Sequence, residues 1–145
     1  MPAWVREAYS EFNKRLPGEL RLNLVEISPA ARGKNFPGEK IKATEDSRIR
    51  AAIPDSSRVI VLDEKGSQFD SRTLANKITS WQRQGQNVCF IIGGADGLHE
   101  NLKRSADLVW SLSFLTLPHA LVRVVLAEQV YRAWSIINNH PYHRE

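Results

Sequence analysis

The stretch Asn87-Val-Cys-Phe-Ile-Ile-Gly-Gly-Ala-Asp-Gly97 decides the fold. Its first six residues form a short apolar run bounded by glycines, which reads as a strand covered on both faces and too apolar for an edge. The glycines that follow mark a tight turn into a short helix ending near Ala106. Upstream, Arg58-Val-Ile-Val-Leu-Asp63 repeats the pattern, and Asp-Glu-Lys-Gly closes it as a turn. Between the two strands, Asp70 caps a helix that carries Leu74, Ile78 and Trp81 and stops at Gly85. Downstream, Asp107–Leu112 is a third strand, and Pro118 precedes a long helix over residues 119–137. Strands alternating with helices define an α/β domain with a mainly parallel sheet. At the front, residues 3–16 have helical spacing and end at Pro17-Gly18. Residues 20–27 alternate like a half-exposed strand, and residues 41–52 form a helix that must end before Pro54.

Composition narrows the class. A chain of 145 residues, 42% of them hydrophobic, supports one domain spanning 1–145 with a real core. One cysteine, Cys89, excludes a disulfide scaffold and a cysteine-rich zinc site. The opening Met-Pro-Ala-Trp-Val-Arg-Glu lacks the build of a signal peptide, and no apolar run is long enough to span a bilayer, so a cytoplasmic protein is expected. The net charge of +4 permits a polyanionic partner without requiring one. The densest positive run contains Arg32, Lys34, Lys40, Lys42, Arg48 and Arg50. It reads as a solvated surface or as a loop that contacts nucleic-acid phosphates.

Four segments can carry chemistry. The Gly93–Gly97 loop follows a strand, where open α/β sheets bind ligands, yet its spacing is neither a dinucleotide fingerprint nor a phosphate loop. A structural turn explains it as well, and a phosphate-bearing nucleotide is a further reading. Ser111-Leu-Ser-Phe-Leu-Thr-Leu-Pro-His119 interleaves hydroxyls with apolar side chains, which suits the wall of a flat, partly apolar ligand or a buried connection. No nucleophile-elbow pattern surrounds its serines, and His119 reads as a helix start. The helix 119–137 is apolar around most of its circumference and needs cover on more than one side, from a subunit partner or as a central core helix. Its polar residues are Arg123, Glu128, Gln129, Arg132 and Ser135, and Glu128–Arg132 can pair. The tail Asn138-Asn-His-Pro-Tyr-His-Arg-Glu145 crowds two imidazoles, a phenol and a guanidinium together. It is either a solvated terminus or a site for stacking, phosphate contact and proton transfer. As metal ligands, His140 and His143 would need a third partner.

Four stretches in this order resemble one family: Leu62-Asp-Glu-Lys-Gly66, Phe90-Ile-Ile-Gly-Gly-Ala-Asp-Gly97, Trp110-Ser-Leu-Ser-Phe-Leu-Thr-Leu-Pro-His119 and Tyr131-Arg-Ala-Trp-Ser-Ile-Ile-Asn-Asn-His-Pro-Tyr-His-Arg-Glu145. The chain is similar over nearly its whole length to the RlmH (YbeA) family. These are bacterial SPOUT-class methyltransferases that act on N3 of a pseudouridine in large-subunit (23S) ribosomal RNA. The resemblance implies a Rossmann-like sheet with a C-terminal trefoil knot and a homodimer. It also implies S-adenosyl-L-methionine bound against Leu62, Gly94 and the run Ser113, Phe114, Leu115, Thr116, Leu117 and Pro118. For catalysis it points to the tail, with His143 handling the proton and Arg144 or Tyr142 meeting RNA, reaching a cofactor held by the partner subunit. Arg132 could also face the target, with Arg32 and Lys34 as auxiliary RNA contacts and no metal involved. Members usually begin with one more hydrophobic strand before the segment matching Met1–Val5. This chain starts after it, through a late start assignment, trimming or a homologue that lacks the strand. The rival is a non-catalytic ribosome- or RNA-binding module that keeps the fold.

Overall fold

Asp70 and Gly85 set the ends of the best-defined helix in the computed structural model, which describes residues 1–31, 38–94 and 97–144. The Asp70 carboxylate accepts the Thr73 backbone N–H at 2.8 Å, and Gly85 closes α3 (Ser71–Gln84) in the left-handed region at φ 68°. Both ends are as the sequence specifies. The chain divides into two compact units, one of residues 1–23, 68–85 and 117–145, the other of 24–67 and 86–116.

The first unit is helical. In it α1 (Ala3–Asn13), α3 and α5 (His119–Ile137) pack together, with α5 against both others. The bounds of α5 match the expected 119–137. Leu126, Ala127, Val130, Tyr131 and Ala133 of α5 are buried, as are Val5, Leu74, Ala75, Ile78 and Trp81. Two neighbouring helices therefore supply cover to the apolar α5 within the chain. Its first turns are covered less, because Leu121, Val122, Val124 and Val125 are only half-buried.

The alternating stretch 20–27 is not a strand. Leu20 ends a 3-10 turn (Gly18–Leu20), and Leu24 and Val25 are exposed. No strand pairs with this segment among the described residues. Instead the Asn13 side chain donates to the Leu22 carbonyl at 2.9 Å and accepts the Leu22 N–H at 2.7 Å. One amide side chain thus meets the two backbone groups that a neighbouring strand would have paired, so alternation alone could not reveal the outcome.

The second unit holds β1 (Arg58–Ser67), β2 (Val88–Ile92) and β3 (Leu108–Trp110), all parallel and in the order β2-β1-β3, with α2 (Gly38–Ala52) and α4 (Glu100–Ser105). The central strand is β1, so the apolar run 87–92 lies at an edge, contrary to expectation. It can be apolar there because its inner face packs into a cluster of Val61, Ile91, Leu98 and Leu102. The expected turn Asp63–Gly66 is also corrected. β1 runs through it to Ser67, and the register against β3 shifts between Leu62 and Ser67, Trp110 being the partner of both. Gly66 serves a close approach rather than a turn. A Cβ there would lie 2.6 Å from the Val109 carbonyl oxygen.

Candidate functional site: strand ends and a pinned tail

Leu62 pairs with Ile92 on one side and Trp110 on the other, so the last paired residues of β2 and β3 lie level with it in one row. Gly93 follows Ile92, and Ser111 follows Trp110. The loops that follow β2 and β3 therefore leave the sheet together, level with Leu62 inside β1, at the carboxyl end of the parallel strands, where such sheets offer free backbone groups to a ligand.

The two neighbouring glycines differ in kind. A Cβ on Gly93 would sit 2.9 Å from the Leu98 side chain and 3.2 Å from the Gly97 carbonyl carbon, so its smallness serves packing. Gly94 is exposed, and a Cβ there would meet nothing within 4 Å. Gly97 folds back to donate its N–H to the Gly94 carbonyl at 3.0 Å, with φ 77°, in the left-handed region that favours glycine. Ala95 and Asp96, which the sequence reading included in this loop, lie outside the described residues.

The Ser111–Thr116 loop is tied by its own hydroxyls. Ser111, 2% exposed, donates to the Ser113 carbonyl at 2.9 Å, and the Ser113 hydroxyl accepts the Leu115 N–H at 3.0 Å. Thr116 donates to the Glu64 carboxylate at 2.6 Å. These bonds leave Phe114 and Leu115 turned outward, 71% and 72% exposed. Two large apolar side chains on a hydroxyl-braced loop offer a surface for a flat, partly apolar ligand. An adenine-bearing cofactor fits this combination of open glycine backbone, strand-end polar groups and apolar wall. Leu117 and Pro118 belong to the helical unit, where Pro118 directly precedes α5. Beside β1, the Lys103 ammonium lies 3.5 Å from both the Asp63 and Glu100 carboxylates.

The tail does not fray. A 3-10 turn (Pro141–His143) packs against α5. Ser135, fully buried, donates its hydroxyl to the His140 carbonyl at 3.0 Å and accepts the His143 backbone N–H at 3.2 Å. The same oxygen lies 2.7 Å from Nδ1 of His143. The Tyr142 ring stands 4.6 Å from that of Tyr131, and the Arg132 guanidinium lies 5.2 Å from its centre. The Tyr142 hydroxyl donates to Glu128 at 3.2 Å, on the carboxylate oxygen that also accepts from Arg132 Nε at 2.8 Å. Partial burial, then the nearby Glu128 carboxylate, hold the Tyr142 phenol above its ordinary value, so it stays a neutral donor. Arg144 is exposed. The expected pair Glu128–Arg132 is formed.

Sequence reading missed Ser135 and Glu128 as organisers of the tail. The available signal was the placement of two polar side chains on an otherwise apolar helix, Ser135 eight residues before His143 and Glu128 fourteen residues before Tyr142. Arg32 and Lys34 lie outside the described residues. Farther along the positive run, Arg48 donates to the carbonyls of Ser28 and Pro29, and Arg50 pairs with Asp46 at 2.9 Å. Arg50 also donates to the Ser105 hydroxyl at 3.2 Å, so both cations are engaged within their own unit. Among the described residues no group of three metal-binding side chains comes together.

A three-stranded parallel sheet whose strand ends present a glycine loop and a hydroxyl-braced apolar loop fits a nucleotide- or nucleoside-binding α/β protein. The sequence profile described as "Predicted SPOUT methyltransferase" matches residues 1–143, and the chain belongs to this SPOUT methyltransferase family. It is similar to the "Ribosomal RNA large subunit methyltransferase H" of Paraburkholderia xenovorans (strain LB400), at 51% identity over 99% of this chain and 92% of that protein. The protein of the same description from Thioalkalivibrio sulfidiphilus (strain HL-EbGR7) is 51% identical over 100% of this chain and 93% of its own length. That from Janthinobacterium sp. (strain Marseille) is 49% identical over 99% and 92%.

Proposed function

We propose that this chain, as a single domain over residues 1–145, transfers a methyl group from S-adenosyl-L-methionine to N3 of a pseudouridine in large-subunit (23S) ribosomal RNA. It works in the cytoplasm, on the assembled ribosome, as a homodimer with the C-terminal trefoil knot that the family resemblance implies. Support comes from the family match and from the shared description of the relatives. The observation that carries the chemistry is the Leu62–Ile92–Trp110 row, which gathers the cofactor loops at one sheet edge. The half-covered first turns of α5 favour a second copy as their remaining cover.

The cofactor, when bound, supplies an electrophilic methyl group on sulfur. Leu62, Gly94 and Ser113–Pro118 hold it, with backbone groups reading the adenine edge and Phe114 and Leu115 excluding water. The protein then holds the target in line and removes the N3 proton. His143 is the group assigned to that proton, in the site completed by the partner subunit. Arg144 holds phosphate, and Tyr142, which stays protonated, is the other tail residue assigned to RNA. Arg132 supports Tyr142.

The test is methyl transfer to intact 70S ribosomes from a strain lacking the modification. Incorporation at the pseudouridine N3 is expected. Co-sedimentation with ribosomes but no transfer would replace the proposal with a non-catalytic binding module.

A further inference from the structure

We infer that Ser135 is a positioning residue that fixes the tautomer of His143, leaving the lone pair of the neutral ring on Nε2. The inference rests on the proton-handling role proposed for His143, and it follows from counting hydrogens at one buried oxygen. A serine hydroxyl has one proton to give and two lone pairs to accept with. The His140 carbonyl, 3.0 Å away, can only accept, so the Ser135 proton points there. The His143 backbone N–H can only donate, and it occupies one lone pair. His143 Nδ1, at 2.7 Å, must then donate to the other. Turning the Ser135 proton toward Nδ1 instead would take this donor from the His140 carbonyl and leave that acceptor unmet, so the first arrangement is the one that satisfies all three groups. With its hydrogen on Nδ1, the neutral imidazole is basic at Nε2.

His140, three residues earlier, is set the opposite way. Its Nδ1 accepts the Tyr142 backbone N–H at 3.2 Å, so its neutral ring carries hydrogen on Nε2. The two imidazoles of the tail therefore differ in function. His143 can take a proton at Nε2, whereas His140 can only donate from that atom. Both also share the anchor, because Ser135 holds the His140 carbonyl and its own carbonyl accepts the His140 N–H at 2.9 Å.

Long-range nitrogen–proton NMR on the full-length, histidine-labelled protein tests this, in buffer alkaline enough to keep the rings neutral and with His143→Gln assigning the signals. The expected spectrum shows hydrogen on Nδ1 of His143 and on Nε2 of His140. Hydrogen on Nε2 of His143, or an average of the two forms, overturns the inference. In Ser135→Ala, checked for folding by near-ultraviolet circular dichroism, the His143 ring should lose its single tautomer. Its kcat for methyl transfer should fall about 100-fold, the low end of general-base catalysis, with the KM for S-adenosyl-L-methionine unchanged. An unaltered His143 tautomer in Ser135→Ala also overturns it. A His143→Gln protein that transfers at the wild-type rate, with the wild-type tautomer as stated, refutes the base role and leaves Ser135 standing as the group that sets the ring.

Discussion

The loops at the strand ends and the tail on α5 are built in opposite ways. The loops are braced through backbone and hydroxyl bonds and turn their apolar side chains outward, as Phe114 and Leu115 do. The tail turns its rings inward against Tyr131 and Trp134 and is fastened through one buried oxygen, Ser135. A loop of the first kind holds its shape while leaving surface for a ligand. A terminus of the second kind fixes the direction of individual polar atoms. Binding a cofactor needs surface, and moving a proton needs direction.

The largest effect expected from breaking this contrast is at Gly66, beneath the loops. A Gly66→Ala methyl would press on the Val109 carbonyl and the β3 backbone, which cannot yield as a side-chain tip can. A loss of about 3 kcal/mol, the upper range for overpacking, should appear as a lower midpoint in urea unfolding. Gly94→Ala sharpens the same point from the other side. With no atom within 4 Å of the new methyl, the unfolding midpoint should stay put, while calorimetry should show about tenfold weaker cofactor binding, equivalent to roughly 1.4 kcal/mol. If Gly94→Ala instead unfolds like Gly66→Ala, the division between packing glycine and ligand glycine fails.

In the tail, Tyr142→Phe removes one donor to Glu128 and keeps the tilted ring contact with Tyr131. The cost should be about 0.5–1.5 kcal/mol in unfolding, smaller than at Gly66. The smallest expected effect is electrostatic, at the α3 cap. The Thr73 backbone N–H, then its hydroxyl, hold the Asp70 carboxyl below its usual value. A depressed acid stabilises the fold above its unfolded pKa, about 3.9, and the contribution is lost as pH falls through the lower folded value. Asp70→Ala should therefore be less stable than wild type at neutral pH, with the gap narrowing below about pH 3.9. A gap that is constant across that range would show the carboxylate charge to be irrelevant.

How legible each region was depended on where its determinants lie. The bounds of α3 and α5 were readable because Asp70, Gly85 and Pro118 act on residues within a turn of themselves. The loops proposed to hold the cofactor were visible as glycine and hydroxyl patterns, but only the register of three distant strands shows that they leave one edge together. Asp63–Gly66 was misread because a glycine demanded by β3 looks, in sequence, like one demanded by a turn. Leu20–Ile27 was misread because no pattern shows that Asn13 would take the place of a strand. The tail's residue types drew notice, whereas its geometry depends on a serine that helix periodicity places without comment.

β1 passes Leu62, leaves its register with β3 for four residues, and returns at Ser67 opposite the same Trp110. Glu64, the residue that holds Thr116, lies on this detour. One strand thus acts as a buckle, since its detour fastens the loop that follows the strand beside it. For such a clasp length matters more than identity. Many side chains can stand at Lys65, but adding or deleting one residue between Leu62 and Ser67 would move Glu64 off Thr116 and Gly66 off its seat on Val109 together.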